Sequence, residues 1–469
     1  MATTGPDPDE VRARYERHVN PTFVKLLGLL GYGRVLTRAE GATVWDDQGR
    51  AYVDMLAGFG ALNLGHNHPG VLAALREVLD GAAVHLCHTG PSPHEGAFAA
   101  ALAAAAGAPL EIALLSSSGA EAVEAGIKLA RAATGRDGVV YCDGGFHGLS
   151  LGTLSIMGAP RLRAPFGRLL PATTAVPFGD LAALGRALAG GRVAAFVVEP
   201  IQAEAGVIVP PAGYLAAAQA LCRQHGTVLV LDEVQTGLGR TGTMFAYQAE
   251  GFVPDVLVLA KALGGGVIPV GATLCARALH QRAYGALDRF DAHGSTFAGN
   301  ALACAAGQAS LALTAALELP ARAAALGARL KARLEARLSG HPLVRAIRGR
   351  GLLVGVEVGT PVSNALAGLS AGLADVLARV APPLGRAIPG RFVGQWLAVR
   401  MLEAGVLCQP ASHHWDVLKL EPPLTITEAE LDRAADALAD VLDDYRALPP
   451  LVRDLGARLA SQGRRGWQW

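Results

Sequence analysis

The middle of this chain alternates short runs of apolar residues with alanine-rich stretches of helical period, and that alternation restricts the possible folds more than any other feature. The runs fall at residues 112–115, 139–142, 195–198, 228–231 and 256–259, two of them reading Val228-Leu-Val-Leu231 and Val256-Leu-Val-Leu259. They are continuously apolar rather than alternating, which predicts strands buried on both faces. Residues 121–134, 181–188 and 214–225 between them read as helices. Strands covered on both faces and separated by helices form a mostly parallel sheet, so the expected class is α/β. In such sheets ligands bind beyond the carboxyl ends of the strands.

The residues at those ends carry chemistry. Ser116-Ser-Ser-Gly-Ala-Glu121 follows the first strand, and Asp143-Gly-Gly-Phe-His-Gly148 the second. Glu199-Pro-Ile-Gln-Ala-Glu204 follows the third, Asp232-Glu-Val-Gln-Thr-Gly237 the fourth, and Lys261 the fifth. After about residue 315 the pattern changes. Two arginine-studded amphipathic helices are expected there, then Arg348-Gly-Arg-Gly-Leu-Leu-Val-Gly-Val-Glu357 and a helix-rich end. These features divide the chain into a large domain at 66–315 and a smaller α+β domain at 316–469. The N-terminal segment 1–65, with a hairpin at 42–54, joins the smaller domain. Residues 359–395, rich in Ala, Gly, Leu and Pro, read as an inserted helical element or a surface elaboration.

A formal net charge of +1 offers no basic field for nucleic acid. The most apolar stretch, 97–110, is short and glycine-broken, so no membrane span is expected. The first ten residues lack a signal peptide's basic and apolar regions. Six scattered cysteines without a Cys-x-x-Cys pair predict reduced thiols in a cytoplasmic protein. No metal-ligand spacing stands out.

Only five of the 41 basic residues are lysines (25, 128, 261, 331 and 419). Arginine can supply charge at such sites, but it cannot supply a nucleophilic amine. Lys261, ending a strand expected to be buried, has the setting that lowers a lysine's pKa and lets it form Schiff bases. The plain alternative is a lysine whose head reaches water. Asp232 ends the neighbouring buried run and needs a cationic or N–H partner, such as a pyridinium, or else it caps a turn. Ser116 to Glu121 opens a helix, where free amides and hydroxyls suit a phosphate as well as ordinary capping. Phe146 has the position to lie on a ring, although a lone aromatic is more often core. Gly237-Leu-Gly-Arg-Thr-Gly242 matches G-x-G-x-x-G literally. It opens no long helix after a first strand, so it is not a dinucleotide loop.

In order and spacing, several motifs together resemble the class III aminotransferases, pyridoxal-phosphate enzymes of fold type I, over nearly the whole chain. They are Ser118-Gly-Ala-Glu-Ala, Gly145-Phe-His-Gly, Glu199-Pro-Ile-Gln-Ala-Glu, Leu231-Asp-Glu-Val-Gln-Thr-Gly-Leu-Gly-Arg-Thr-Gly, Lys261 and His293-Gly-Ser-Thr-Phe-Ala-Gly-Asn300. The resemblance implies that Lys261 carries pyridoxal 5′-phosphate as a Schiff base and later moves the substrate proton. Asp232 then pairs with the ring nitrogen, Phe146 and Val234 pack its two faces, and Gln235 lies near the phenolic oxygen. Ser118, Gly119 and Ala120 hold the phosphate, with His147 and Glu199 beside the cofactor. Thr296 completes the phosphate site of the neighbouring subunit, which implies a homodimer with shared active sites. Glu204, Lys419 and Phe59 fall on the substrate side.

Many members of the family grip an α-carboxylate with an arginine three residues before Pro-Pro-Leu, where this chain has Lys419 in Val417-Leu-Lys-Leu-Glu-Pro-Pro-Leu424. A lysine is a point charge without arginine's bidentate fork. With Glu421 it resembles the branch that handles diamines or aminates long-chain and polyketide-derived aldehydes. A tolerated exchange, in which Lys419 pairs with Glu204 or Glu421, is the plain reading. The expected substrates are a small-molecule amine, which can lack an α-carboxylate, and a 2-oxo acid or aldehyde. An acetylornithine- or ornithine-type aminotransferase, or an aminomutase or racemase on the same fold, is the alternative. A non-catalytic binding protein and a nicotinamide dehydrogenase are more distant ones.

Overall fold

In the computed structural model, residues 7–30, 33–359, 392–446, 450 and 453–454 are described. The bulk of the expected insert at 359–395 therefore lies outside the described residues. Near the N-terminus come β1 (Leu36–Glu40), β2 (Thr43–Asp46) and β3 (Ala51–Asp54). The central strands are β4 (Ile112–Ser116), β5 (Gly138–Cys142), β6 (Thr173–Val176), β7 (Val193–Val198), β8 (Val228–Asp232), β9 (Val256–Leu259) and β10 (Gly271–Cys275). Toward the end lie β11 (Val344–Arg350), β12 (Leu353–Val358), β13 (Val406–Leu407), β14 (Gln409–Pro410) and β15 (Val417–Leu420).

The central strands form one seven-stranded sheet in the order β4-β10-β9-β8-β7-β5-β6. All neighbours are parallel except around β10, which runs against both β4 and β9. Every residue of β5, β7, β8, β9 and β10 is buried, as continuously apolar strands under two helical layers require. The helix Gly119–Thr134 lies so close that a Cβ on Gly126 would stand 2.9 Å from Val230 Cγ1. Its start is fixed reciprocally: Glu121 N donates to Ser118 Oγ (3.2 Å), and Ser117 N donates to Glu121 Oε2 (2.6 Å).

Two strands of the central sheet escaped the sequence reading, β6 and β10. One expectation is corrected outright: between residue 315 and β11 there is one arginine-studded helix, Leu319–Leu338, not two. It runs unbroken through Gly327, which faces the backbone of Gly351 too closely to admit any side chain. Its Arg329, Arg333 and Arg337 make a ladder of ion pairs with Asp432, Asp436 and Asp440 on helix Glu428–Asp443. No single helix among the described residues is long and apolar enough to cross a membrane. One bent pair, Ala301–Ala316 with Leu319–Leu338, would pass by length and composition, but its break is bent by 62° and its apolar residues pack in the cores.

The remaining strands build two four-stranded sheets, β1-β2-β3-β13 and β11-β12-β15-β14. Because β13 pairs in parallel with β3, the hairpin near the N-terminus and the C-terminal region share a sheet. One core accordingly joins Val53 and Met55 to Leu418, Leu420 and Leu431.

The Gly237–Gly242 stretch rejected as a dinucleotide loop has an architectural part to play. Arg240 is fully buried and donates to Leu352 O (2.9 Å), Pro422 O (2.6 Å) and Asn63 Oδ1 (2.6 Å), so it ties three distant segments together. Burial pushes its pKa down to about 10. Arg240→Leu orphans these acceptors and should cost about 3 kcal/mol of stability, measured by urea denaturation.

Candidate active site

Lys261 follows β9 after the single residue Ala260 and opens a single 3₁₀ turn with φ +47°. A positive φ strains a residue with a Cβ and persists where the surroundings over-determine it, commonly at functional sites. Its Nζ donates to Gln235 Oε1. Burial, reinforced by the charge of Lys419, lowers the pKa of this amine; Glu421, Glu204 and Asp232 pull it up without cancelling that.

Asp232 ends β8, one strand away, with its Cα opposite Val258 of β9. Its Oδ1 accepts from Val234 N (3.0 Å), and its Oδ2 meets His147 Nδ1 at 2.7 Å. His147 has its side chain fully buried. Desolvation disfavours its proton, but the hydrogen bond and charge of Asp232 outweigh it, and the His147 pKa is raised. A carboxylate offers about four acceptor positions, so Asp232 keeps capacity for another donor. After β7, Glu199 Oε1 accepts from Phe146 N (2.8 Å), and burial raises the Glu199 carboxyl to about 7.

In front of Lys261 lies a cavity of about 270 Å³ whose walls include Ser117, Ser118, Gly119, Ala260 and Pro269. The helix Gly119–Thr134 therefore starts at this cavity, and its first amides have no intrahelical acceptor. Gly119 is packed against the residues that follow β8 and β9: a Cβ there would stand 3.1 Å from Val234 Cγ1 and 3.4 Å from Ala260 Cβ. A cavity with an amine, an anion-seeking helix start and a carboxylate with spare acceptor capacity nearby fits pyridoxal phosphate.

On the far side of Gln235, Lys419 in β15 is fully buried. Its Nζ contacts Glu204 Oε1 and lies 2.7 Å from Glu421 Oε1. Desolvation opposes its charge, yet Glu421 and Glu204 overcome that and raise its pKa. Lys419 and Lys261 likewise outweigh desolvation at Glu204 and hold its carboxyl down to about 2. Ser412 N also donates to Glu204 Oε2 (3.0 Å). The Phe59 ring lies over Lys419, with Nζ 5.3 Å from its centroid, and 42% of the residue is exposed.

The fold thus gathers Lys261, Asp232, His147, Val234, Gln235, Glu199, Phe146, Glu204, Lys419 and Phe59 around one sheet edge, with Ser118, Gly119 and Ala120 at the adjoining helix start. Thr296 stands apart, on an exposed loop between Tyr284 and Ala301 and outside the cavity walls. Sequence reasoning did not foresee that His147 would pair with Asp232, that Gln235 Nε2 would donate to Glu421 Oε2 (2.7 Å), or that Ser412 would hold Glu204. The Glu421 contact had a signal: alternate residues of an extended segment share a face, so Glu421 follows Lys419 on its side.

The family model "Aminotransferase class-III" matches residues 31–442. Acetylornithine aminotransferase of Mycolicibacterium smegmatis is 41% identical over 410 residues, covering 87% of this chain and 93% of that one. Putrescine aminotransferase of Pectobacterium atrosepticum is 36% identical over 455 residues, covering 94% and 90%. The aminotransferase PigE of Serratia sp. is 36% identical over 463 residues; the match covers 94% of this chain but only 54% of PigE, about half its length. Among solved structures, an ornithine aminotransferase from Toxoplasma gondii has a TM-score of 0.79 at 30% identity, covering 93% of this chain and 95% of that one. The chain belongs to the class III aminotransferases, with their mixed α/β fold of type I and their cofactor, pyridoxal 5′-phosphate.

Two outcomes test the site. The parent should purify yellow and be bleached by borohydride, whereas Lys261→Ala should be colourless and lose amine turnover by at least about a thousandfold. The raised pKa of Glu199, about 7 against an ordinary 4.5, means that the folded protein holds a proton which the unfolded chain releases between those values. Stability from this group is fully present below the lower value and is lost as pH rises through the upper one. Glu199→Gln keeps an acceptor for Phe146 N and should flatten that fall, read as Tm against pH on the cofactor-free protein.

Proposed function

We propose that this aminotransferase takes its nitrogen from a primary amine without an α-carboxylate, a diamine or a long-chain amine, and passes it to a 2-oxo acid or aldehyde. The observation that carries this reading is the state of Lys419. The cation at the position where many relatives hold a carboxylate is fully buried and shared between Glu204 and Glu421. Two carboxylates against one ammonium leave a local surplus of negative charge, which favours an incoming cation and disfavours a second carboxylate. The exposed face of Phe59 adds an apolar and π surface at the same place. The likeness to the putrescine aminotransferase agrees with this reading.

Lys261, Asp232, the amides of Gly119 and Ala120 with Ser118, and the side chains of Phe146 and Val234 would hold the cofactor. When bound, pyridoxal phosphate supplies an aldehyde carbon for the amine and a conjugated ring that takes up the electron pair left at the substrate carbon. Asp232, already bonded to His147, would offer its remaining acceptor capacity to a protonated ring nitrogen. Once an incoming amine occupies the cofactor, Lys261 would be free to stand beside the carbon that must lose its proton. Its lowered pKa leaves more of it neutral at a given pH than an exposed lysine, and so able to take that proton. The Lys261 ammonium so formed would give that proton back on the far side of the substrate nitrogen, so that the proton is moved rather than lost. Reversing these steps with a carbonyl acceptor closes a two-stage cycle.

A homodimer with shared sites is part of the proposal. Thr296 lies on a loop that also exposes Leu287 (94%), Phe290 (68%) and Phe297 (62%), and so much apolar surface on one loop favours a covering partner. The six free cysteines fit a cytoplasmic setting. The ornithine-type alternative keeps its support from the 41% identity to an acetylornithine aminotransferase. Steady-state assays with pyruvate or 2-oxoglutarate as acceptor separate the two. Diamines or alkyl amines should exceed α-amino acids in kcat/KM by at least about tenfold, a difference of about 1.4 kcal/mol. Turnover of α-amino acids alone overturns the proposal.

A further inference from the structure

The polar groups behind Lys261 form one continuous chain of contacts. Lys261 Nζ donates to Gln235 Oε1, Gln235 Nε2 donates to Glu421 Oε2 (2.7 Å), Glu421 Oε1 lies 2.7 Å from Lys419 Nζ, and Lys419 contacts Glu204. Gln235 is the ambivalent link, since its amide offers an oxygen at one end and an NH₂ at the other. An ionised carboxylate only accepts hydrogen bonds. With Glu421 on one side, the NH₂ must face Glu421 and the oxygen must face Lys261.

Glu421 is itself held firmly. It is fully buried, and its backbone N donates to Met55 O (2.9 Å) at the end of β3. Gly60, at φ +79°, presses against the pair: a Cβ there would stand 3.1 Å from Glu421 Oε2 and 3.5 Å from Gln235 Cγ. The Gln235–Glu421 contact thus has room because position 60 carries no side chain.

We propose that Glu421 is a positioning residue for the lysine chemistry, holding the Gln235 amide so that its oxygen faces the nitrogen of Lys261. The role rests on the aminotransferase chemistry of the family and not on the substrate proposed above. An oxygen in that place accepts from a protonated Lys261 nitrogen and keeps it in one orientation. Without Glu421 the amide is free to turn over and point an N–H at the same nitrogen, which disfavours its protonated form. The charged groups facing Lys261 are Lys419, Glu421, Glu204 and Asp232, so a test must separate the amide's orientation from the charge of Glu421.

Two double variants of the holoenzyme do so. Both carry Lys419→Met, which removes the buried ion pair's cation; one adds Glu421→Gln, which keeps an oxygen for Gln235, and the other Glu421→Leu, which offers none. The readout is the pH midpoint of the bound cofactor's visible absorption change, which follows protonation at the lysine nitrogen independently of any substrate. The leucine variant should titrate at a pH lower than the glutamine variant by about one unit. Equal midpoints overturn the proposal. Should the leucine variant fail to fold, Gln235→Met in the otherwise intact chain removes the oxygen itself while leaving Glu421, Lys419 and Glu204 in place. Its midpoint should then fall below that of the parent enzyme, and an unchanged midpoint overturns the proposal. None of these readings depends on which amine the enzyme uses, so the outcome of the substrate panel leaves them untouched.

Discussion

Lys261 is pulled in two directions. Burial and the charge of Lys419 push the amine toward its neutral form, while Glu421, Glu204 and Asp232 hold it toward the charged one. An amine left to burial alone would be neutral but unanchored, and one paired tightly with a carboxylate would be anchored but unreactive. Placing the carboxylates around it, with an amide as its direct partner, avoids both extremes. That arrangement needs residues from β8, β9, β15 and the segment after β7 to converge, and a parallel sheet with neighbouring strands ending at one edge brings three of them there. The fourth arrives because β15 and the segment beyond it are tied to the end of β3, where Glu421 N donates to Met55 O.

The local backbone is strained in two places that meet at this network. Lys261 has positive φ, and so do the successive residues Ala57, Gly58, Phe59 and Gly60. Two of those four carry side chains beyond Gly, which makes the run unusual for L-residues. Asp54 Oδ1 accepts from Leu56 N (2.9 Å) and Ala57 N (2.8 Å), so the turn is held at its start by a buried carboxylate. Its product is the placement of the Phe59 ring over Lys419 and of Gly60 against Glu421. The strain is local and the scaffold around it regular, which is the pattern expected where a fold is used to hold chemistry in place.

Much of this was legible in the chain itself. Four buried strands, β5, β7, β8 and β9, and the helices between them follow from unbroken apolar runs and helical periods, whereas β4, expected to be buried on both faces, is half-buried over its first three residues because it lies at the sheet's edge; Lys261 and Asp232 stood out because charges end such runs. The strands that escaped notice had weaker signals. In β6 three of four residues are Thr or Ala, and Gly271-Ala-Thr-Leu-Cys275 of β10 opens with small residues. Nothing in a local pattern says that β10 must run against its neighbours. The unbroken helix Leu319–Leu338 shows the same limit, since Gly327 is needed for a tertiary contact with Gly351 that local propensity does not contain. Arg240 shows it again: the glycines around it spell a nucleotide-binding signature, but what they serve is the passage of a buried guanidinium between three segments. Pairings across the fold, such as His147 with Asp232, appear only once the strands have an order.

The exchange of a fork-shaped cation for a compact one at Lys419 makes physical sense only together with Glu421. A guanidinium presents two parallel N–H groups to one carboxylate and stays available for a second planar partner such as a substrate carboxylate. An ammonium has no such plane, and here it is shared between two carboxylates in full burial. Burying one cation with two anions is costly unless each anion has further donors. Glu204 has Ser412 N and Glu421 has Gln235 Nε2, so both are supplied. The second of those donors is the side chain that also receives Lys261. The charge balance on the substrate side and the orientation of the catalytic amine therefore share one hydrogen bond, and a change at Lys419 cannot alter the first without straining the second.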